Sequence, residues 1–289
     1  MEGEKSIRLG EQSLAFDYLL MAVGTQPDST SSADGVFDLD SLSRHSLNTE
    51  IDSLLAAPGK LKKHFNVIGA GPSGIQFCFE LAHRLANSGA DYQINLIDGH
   101  DTLLPLFPAA VGRYVQKRLD QRGIRLLTGQ FYRGLDDQTL LFEHAHSGEQ
   151  SSLPSDLTLL LLGKKPRLCL HANSSGQILL GNQVLSHLFT AGDCSHYDEL
   201  GSNLLTSQAA IRKGKAAANN ILLNAGALRF CLPYMHQELG YLLSLGPDDA
   251  VGWVVSKNNI ISGLPAYLAK QATETQYDLF LSGIDSYLL

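Results

Sequence analysis

An apolar run, His64-Phe65-Asn66-Val67-Ile68, leads without a break into Gly69-Ala70-Gly71-Pro72-Ser73-Gly74, and this junction leaves the chain few possible folds. Beyond the glycines, Ile75, Phe77, Cys78, Leu81, Ala82 and Leu85 recur at near-helical spacing until Asn87-Ser88-Gly89 stops the pattern. Tyr92–Ile97 reads as the next strand, ended by Asp98. A helix from Ala109 to Arg122, stopped by Gly123, then precedes the strand Ile124–Leu127. Strand and helix in alternation predict a parallel, doubly wound α/β sheet.

Glycines at G-x-G-x-x-G spacing mean little alone. With 27 glycines in the chain, such a triplet arises by chance in roughly one case in five, so position decides its meaning. Here it lies between a strand and a helix, and an acid closes the following strand 98 − 69 = 29 positions after the first glycine, against a usual offset of about 20. Gly69 then permits the turn, Gly71 lets a pyrophosphate approach the main chain, and Gly74 lets the helix pack on the sheet. The phosphates would lie on the helix N-terminus at Pro72 and Ser73. Asp98 could accept hydrogen bonds from both ribose hydroxyls and would repel a 2′-phosphate, which predicts NADH over NADPH. The competing readings are a merely tight strand-to-helix turn and a turn aspartate before Gly99.

Elsewhere, Ser6–Leu9 and Leu14–Phe16 around Gly10-Glu11-Gln12 predict a hairpin, and Leu19–Val23 predicts a buried strand closed by Gly24-Thr25-Gln26-Pro27. Asp28 to Asp40, rich in Ser, Asp and Gly, reads as an exposed loop or linker. Phe131 to Ser152 reads as a small antiparallel excursion, and Leu157–Leu162 as a buried strand closed by Gly163. A strand at Leu188–Ala191 ends in Gly192-Asp193-Cys194, and Leu204–Asn224 is a long Ala-rich helix on which Arg212, Lys213 and Lys215 read as a solvated face, the competing reading being a face turned to a phosphate. A net charge of −7 argues against a nucleic-acid partner. At 44% hydrophobic and 18% charged residues the chain is neither a disordered polyampholyte nor a channel. Four cysteines without a C-x-x-C pair predict neither a disulfide framework nor a metal site. The start, Met1-Glu2-Gly3-Glu4-Lys5, lacks the pattern of a signal peptide.

Phe16-Asp17-Tyr18-Leu19-Leu20-Met21-Ala22-Val23-Gly24-Thr25-Gln26-Pro27 resembles the segment that precedes the NAD-domain insertion in two-dinucleotide flavoproteins, the pyridine nucleotide-disulfide oxidoreductase superfamily. Phe189-Thr190-Ala191-Gly192-Asp193-Cys194 resembles that superfamily's second FAD motif, whose aspartate binds the ribitol region. Leu103-Leu104-Pro105-Leu106-Phe107-Pro108, Thr206-Ser207-Gln208-Ala209-Ala210 and Tyr234–Gly252 are similar to stretches of the type II NADH dehydrogenases. Two positions depart from that branch: Gln76 stands where a glutamate is frequent, and Arg212 where a second glutamine is.

The resemblance implies a Rossmann-like NAD domain inserted in an incomplete FAD domain, with a small C-terminal α/β region. The expected divisions are 1–55 (FAD remnant and linker), 56–166 (NAD domain), 167–228 (second FAD segment) and 229–289 (interface or membrane-proximal region). FAD and NAD(H) are the implied cofactors, held by Gly24, Gly69, Gly71, Pro72, Ser73, Gly74, Asp98, Gly163, Gly192 and Asp193. Thr206 and Gln208 would line the pocket of a quinone-like acceptor. No catalytic acid or base is assignable, and the histidines, His196 included, read as structural. The resemblance further implies a cytoplasmic homodimer with weak peripheral contact at the inner face of the membrane. The family's strand, Gly-rich loop and helix for the ADP half of FAD do not precede Ser6. The chain is therefore expected to be a fragment or mis-started product, or to be complemented by another subunit. The competing function is a non-catalytic NAD-binding or redox-sensing module.

Overall fold

The computed structural model describes residues 5–27, 35–44, 46–57 and 62–284. They form two compact units, one of Met1–Gln26 with Lys164–Glu238 and one of Pro27–Gly163 with Leu239–Leu289. The chain begins in the first unit with the hairpin β1 (Ser6–Leu9) and β2 (Gln12–Ala15), then β3 (Leu19–Met21) and β4 (Thr25–Pro27). The second unit opens with β5 (Val36–Asp38), α1 (Leu39–Arg44), α2 (Leu47–Ala56), β6 (Lys63–Ile68), α3 (Pro72–Ala86), β7 (Tyr92–Ile97), α4 (Ala109–Gln121) and β8 (Arg125–Leu127). It continues through β9 (Gln130–Asp136), β10 (Thr139–His144), β11 (Gln150–Pro154) and β12 (Leu157–Leu160).

Back in the first unit lie β13 (Lys164–Pro166), β14 (Leu170–Ala172), β15 (Gln177–Leu180), β16 (Gln183–Thr190), a 3-10 turn at Gly192–Cys194, β17 (Ser195–Tyr197) and α5 (Ser207–Asn224). The chain closes in the second unit with β18 (Gly240–Ser244), β19 (Ala250–Val254), β20 (Ser256–Ser262) and α6 (Leu264–Leu281).

The second unit is built on a parallel sheet of order β5-β12-β6-β7-β8. Its strands look uniformly apolar in sequence because both faces are covered. Phe65, Val67, Ile94, Leu96, Leu157 and Leu159 point to one face and pack with α3 and α4 through Ile75, Cys78, Leu85, Val111 and Val115. Ile68, Ile97 and Leu160 point to the other, against Leu140 and Phe142 of the antiparallel sheet β11-β10-β9. That face also carries the buried Asn66 and Asn95: Asn95 Nδ2 donates to Asn66 Oδ1 at 2.8 Å and Asn66 Nδ2 to the Pro154 carbonyl at 3.1 Å, while Asn95 Oδ1 is buried without a hydrogen bond.

The antiparallel sheet β18-β19-β20 adds Leu243, Leu245 and Val251 to the core that α3 and α4 share with the parallel sheet. The buried Asp249 fixes this addition to α4, accepting from Arg118 Nε at 2.5 Å and from Tyr114 Oη at 3.0 Å. A buried carboxylate is tolerable only with such partners.

Two expectations need correction. The Ser-, Asp- and Gly-rich stretch is not wholly a loop: residues 28–34 lie outside the described residues, but Val36–Asp38 is an edge strand of the parallel sheet with Val36 and Asp38 buried. Leu19–Val23 is not a buried strand either. β3 covers only Leu19–Met21, ends the five-stranded sheet β17-β14-β15-β16-β3, and leaves Leu20 and Val23 exposed because β16 is its single neighbour in that sheet.

Candidate functional site

In the second unit, β12, β6 and β7 lie side by side and parallel, so Gly163, Gly69 and Asp98 come together at their carboxyl ends, where open α/β sheets bind ligands. Gly69 has φ +100°, and a Cβ there would stand 2.3 Å from the Leu161 carbonyl oxygen. A Cβ on Gly74 would stand 1.8 Å from the Gly69 carbonyl oxygen, so glycine is what lets α3 start this close to β6. Gly71 differs: a Cβ would meet nothing within 4 Å, which leaves its backbone open from that side. It caps α3 without a side-chain hydrogen bond, and Pro72 lacks an N–H, so the free donors of the first helical turn face whatever occupies the opening. Ser73 is exposed there and Gly163, at φ +100°, also has open space beside it.

Asp98 is more engaged than its sequence suggests. Its Oδ2 accepts from the Ala70 N–H of the glycine loop at 2.6 Å, while Oδ1 accepts from the His100 N–H at 2.8 Å and lies 2.7 Å from His100 Nδ1. The carboxylate thus ties β7 to the glycine loop as well as facing the crevice.

A second crevice belongs to the first unit. β3 and β16 are parallel neighbours, Thr190 opposite Met21, which puts Gly24 and Gly192-Asp193 just past their carboxyl ends. Both glycines have positive φ, +65° and +71°, with nothing within 4 Å of a Cβ. No hydrogen bond to the Asp193 carboxylate is made by the described residues, so it is available to a ligand. The Cys194 thiol is turned inward, 3.4 Å from the Ala191 carbonyl.

Behind this crevice lies Lys213, 2% exposed, and the expected solvated face of α5 is corrected at this position. Its ammonium donates to the Ser195 carbonyl at 2.8 Å and to Asn203 Oδ1 at 3.0 Å, and lies 5.1 Å from the Tyr197 ring centroid and 5.9 Å from that of Tyr234. Burial lowers the Lys213 pKa, and Asp193, Cys194 and Cys169 oppose that shift. Helical phase was the available signal: Ala209, Lys213, Ala217 and Asn220 share the buried stripe of α5.

Of the acceptor candidates, Gln208 is half-buried in the first turn of α5, whereas the Thr206 hydroxyl is occupied. It caps α5 by accepting from the Ala209 N–H at 3.1 Å and donates to Glu238 Oε1 at 2.8 Å. Ser202 Oγ donates to the same oxygen at 3.1 Å. His236, its side chain 8% exposed, places Nε2 at 3.9 Å from that carboxylate, and this buried nitrogen makes no hydrogen bond. Burial lowers its pKa, with Glu238 opposing and Arg212 adding to the shift. Sequence reading missed His100, Glu238 and His236, whose roles depend on segments distant in sequence or on a side-chain turn that spacing does not reveal. Among the described residues no group of His, Cys, Asp and Glu could hold a metal ion, and no helix is long and apolar enough to cross a membrane.

A model of the pyridine nucleotide-disulphide oxidoreductase family matches residues 1–214. The chain is 28% identical over 259 residues to demethylphylloquinone reductase NdbB of Synechocystis, covering 84% of this chain and 62% of that protein. It is 23% identical over 294 residues to the internal alternative NAD(P)H-ubiquinone oxidoreductase A1 of Arabidopsis thaliana, covering 86% and 56%. The chain therefore spans about 60% of the length of these curated relatives. The structure of NDH2 from Plasmodium falciparum in complex with NADH superposes with a TM-score of 0.72 at 15% identity, over 92% of this chain and 75% of that one, a likeness of fold.

Proposed function

The chain belongs to the pyridine nucleotide-disulphide oxidoreductase family, and from that premise we propose that it acts as an FAD-dependent NADH:acceptor oxidoreductase with a quinone as acceptor. The observation that supports this most is the pair of crevices, one in each unit, each at the carboxyl ends of adjacent parallel strands and each opened by glycines with free space beside the backbone. The curated relatives named for NAD(P)H and quinones point the same way. When bound, nicotinamide and flavin supply the redox chemistry, a hydride passing from the first to the second and its electrons onward to the acceptor.

The residues of this chain bind and orient. The Gly69–Gly74 loop and the first turn of α3 hold a pyrophosphate, Asp98 takes a ribose hydroxyl on the lone pair left on Oδ2, and Gly163 leaves room across the crevice. Gly24, Gly192 and Asp193 hold the ribitol end of FAD in the other unit, with Gln208 lining the acceptor pocket and Thr206 fixing the helix that carries it. Purified chain should show a flavin absorption band and reduce a water-soluble benzoquinone with NADH. A colourless chain that binds NADH and reduces nothing would overturn this reading in favour of the nucleotide-binding module.

The proposal extends to place. α6 leaves Leu264, Leu268, Tyr277 and Leu281 exposed, an apolar set suited to homodimer contact or to weak peripheral contact at the cytoplasmic face of a membrane. Sedimentation and vesicle flotation of the intact chain check this, and a monomer that floats with no vesicle contradicts it.

A further inference from the structure

We propose that His100 sets the balance between NADH and NADPH at the ribose end of the nucleotide crevice, by taking up a proton when a 2′-phosphate is present. The inference rests on the dinucleotide reading of the Gly69–Gly74 loop. An acid at the end of β7 ordinarily rejects a 2′-phosphate by charge repulsion. Here that acid is not bare. Asp98 receives the Ala70 N–H, the His100 N–H and, at 2.7 Å, the His100 ring at Nδ1. A carboxylate accepts, so Nδ1 carries the hydrogen and the second ring nitrogen, Nε2, is left with a lone pair when the imidazole is neutral.

The His100 side chain is 72% exposed, so that outer nitrogen is accessible to a ligand in the crevice. Protonated at Nε2, the ring forms an ion pair with Asp98 and offers a charged donor outward, replacing repulsion of a phosphate dianion with attraction. The other charged groups around it are engaged elsewhere: Arg133, by the Phe131 ring that packs on Gly99, donates to Glu143 at 2.9 Å. Asp101 on the same loop is held 2.8 Å from His146 Nε2, and the loop backbone is hydrogen-bonded to Gly129, beside which His144 lies. Residues 99–112 contain no lysine or arginine. NADH, with a 2′-hydroxyl, needs no proton, because it donates to Asp98 directly.

The test is calorimetric titration of the intact chain with NADH and with NADPH at about pH 8, where an ordinary imidazole is neutral and a phosphate monoester is already a dianion. Paired buffers of different ionisation enthalpy give the protons exchanged. The expected result is uptake of between about 0.5 and 1 proton per NADPH and none with NADH. H100A should abolish that uptake and weaken NADPH about tenfold, with NADH changed less than about twofold. H100K should restore NADPH affinity without proton uptake, and H146A should leave the uptake intact. NADPH binding without proton uptake, or equal loss of both nucleotides in H100A, overturns the role of His100 while leaving the crevice a dinucleotide site. Failure to bind either nucleotide overturns the dinucleotide reading, and the proposal with it.

Discussion

β6, which feeds the glycine loop of the second unit, has paired strands on both edges and covered faces, while β3, its counterpart in the first unit, ends its sheet with Leu20 exposed. The two crevices differ in the same sense. One is shaped by backbone: a Cβ on Gly69 or Gly74 would stand 2.3 or 1.8 Å from a carbonyl oxygen, and few side chains take part. The other has no such clash at Gly24 or Gly192 and depends on a buried cation, Lys213, bridging Ser195 and Asn203 under two tyrosine rings. Steric sites fail through added atoms, whereas side-chain sites fail through lost partners.

The largest effect should come from Gly74→Val, whose Cβ has no place against the Gly69 carbonyl; separation of α3 from β6 should cost about 3 kcal/mol or more. Thermal unfolding measures it, and an unchanged transition would mean the close approach is not required. Gly71→Val probes the same loop where space is open. The fold should persist while NADH affinity, read by calorimetry, falls about a hundredfold, roughly 2.8 kcal/mol; retained affinity would show that nothing approaches the backbone there.

Lys213→Met carries the contrast to the other unit. Removing the ammonium takes the Lys213 donor from the Ser195 carbonyl and leaves Asn203 Oδ1 with the Tyr197 N–H, a cost of about 1–3 kcal/mol. Flavin retention should fall with NADH affinity unchanged, and equal loss of both would erase the distinction between the crevices. The smallest effect concerns His236. Its lowered pKa means the folded chain keeps the ring neutral where the unfolded chain, near pH 6.5, takes up a proton. Stability is therefore fully present above about pH 6.5 and declines as pH falls toward the lowered folded value. His236→Gln should flatten the dependence of the unfolding temperature on pH between about 7 and 5; an identical slope would show that another group carries it.

What the sequence revealed follows the same division. The glycine loop and the acid closing β7 are legible because backbone constraint leaves a signature in residue type and spacing, whereas Gly192-Asp193 was picked out by its resemblance to a family motif. Val36–Asp38 was hidden in a polar stretch because three residues of a strand paired with β12, well over a hundred positions away, carry no periodicity of their own. The attachment of β18–β20 to α4 depends on Asp249 meeting Arg118 and Tyr114, a pairing no local pattern announces. Lys213 was readable from its phase between Ala209 and Ala217 but was outweighed by its charged neighbours in sequence.

Cys78 is fully buried on α3 directly behind the glycine loop, burial pushes its thiol pKa up, and it is the single cysteine of its unit, since Cys169, Cys194 and Cys231 belong to the other. The molecule therefore carries a clock in one unit and a reference thiol in the other. An alkylating reagent reaches the exposed Cys169 at once, but reaches Cys78 only when the second unit opens, so the ratio of the two labelling rates reports the free energy of that opening. A dinucleotide bound at the loop should slow the Cys78 clock in proportion to its occupancy and leave the Cys169 rate untouched.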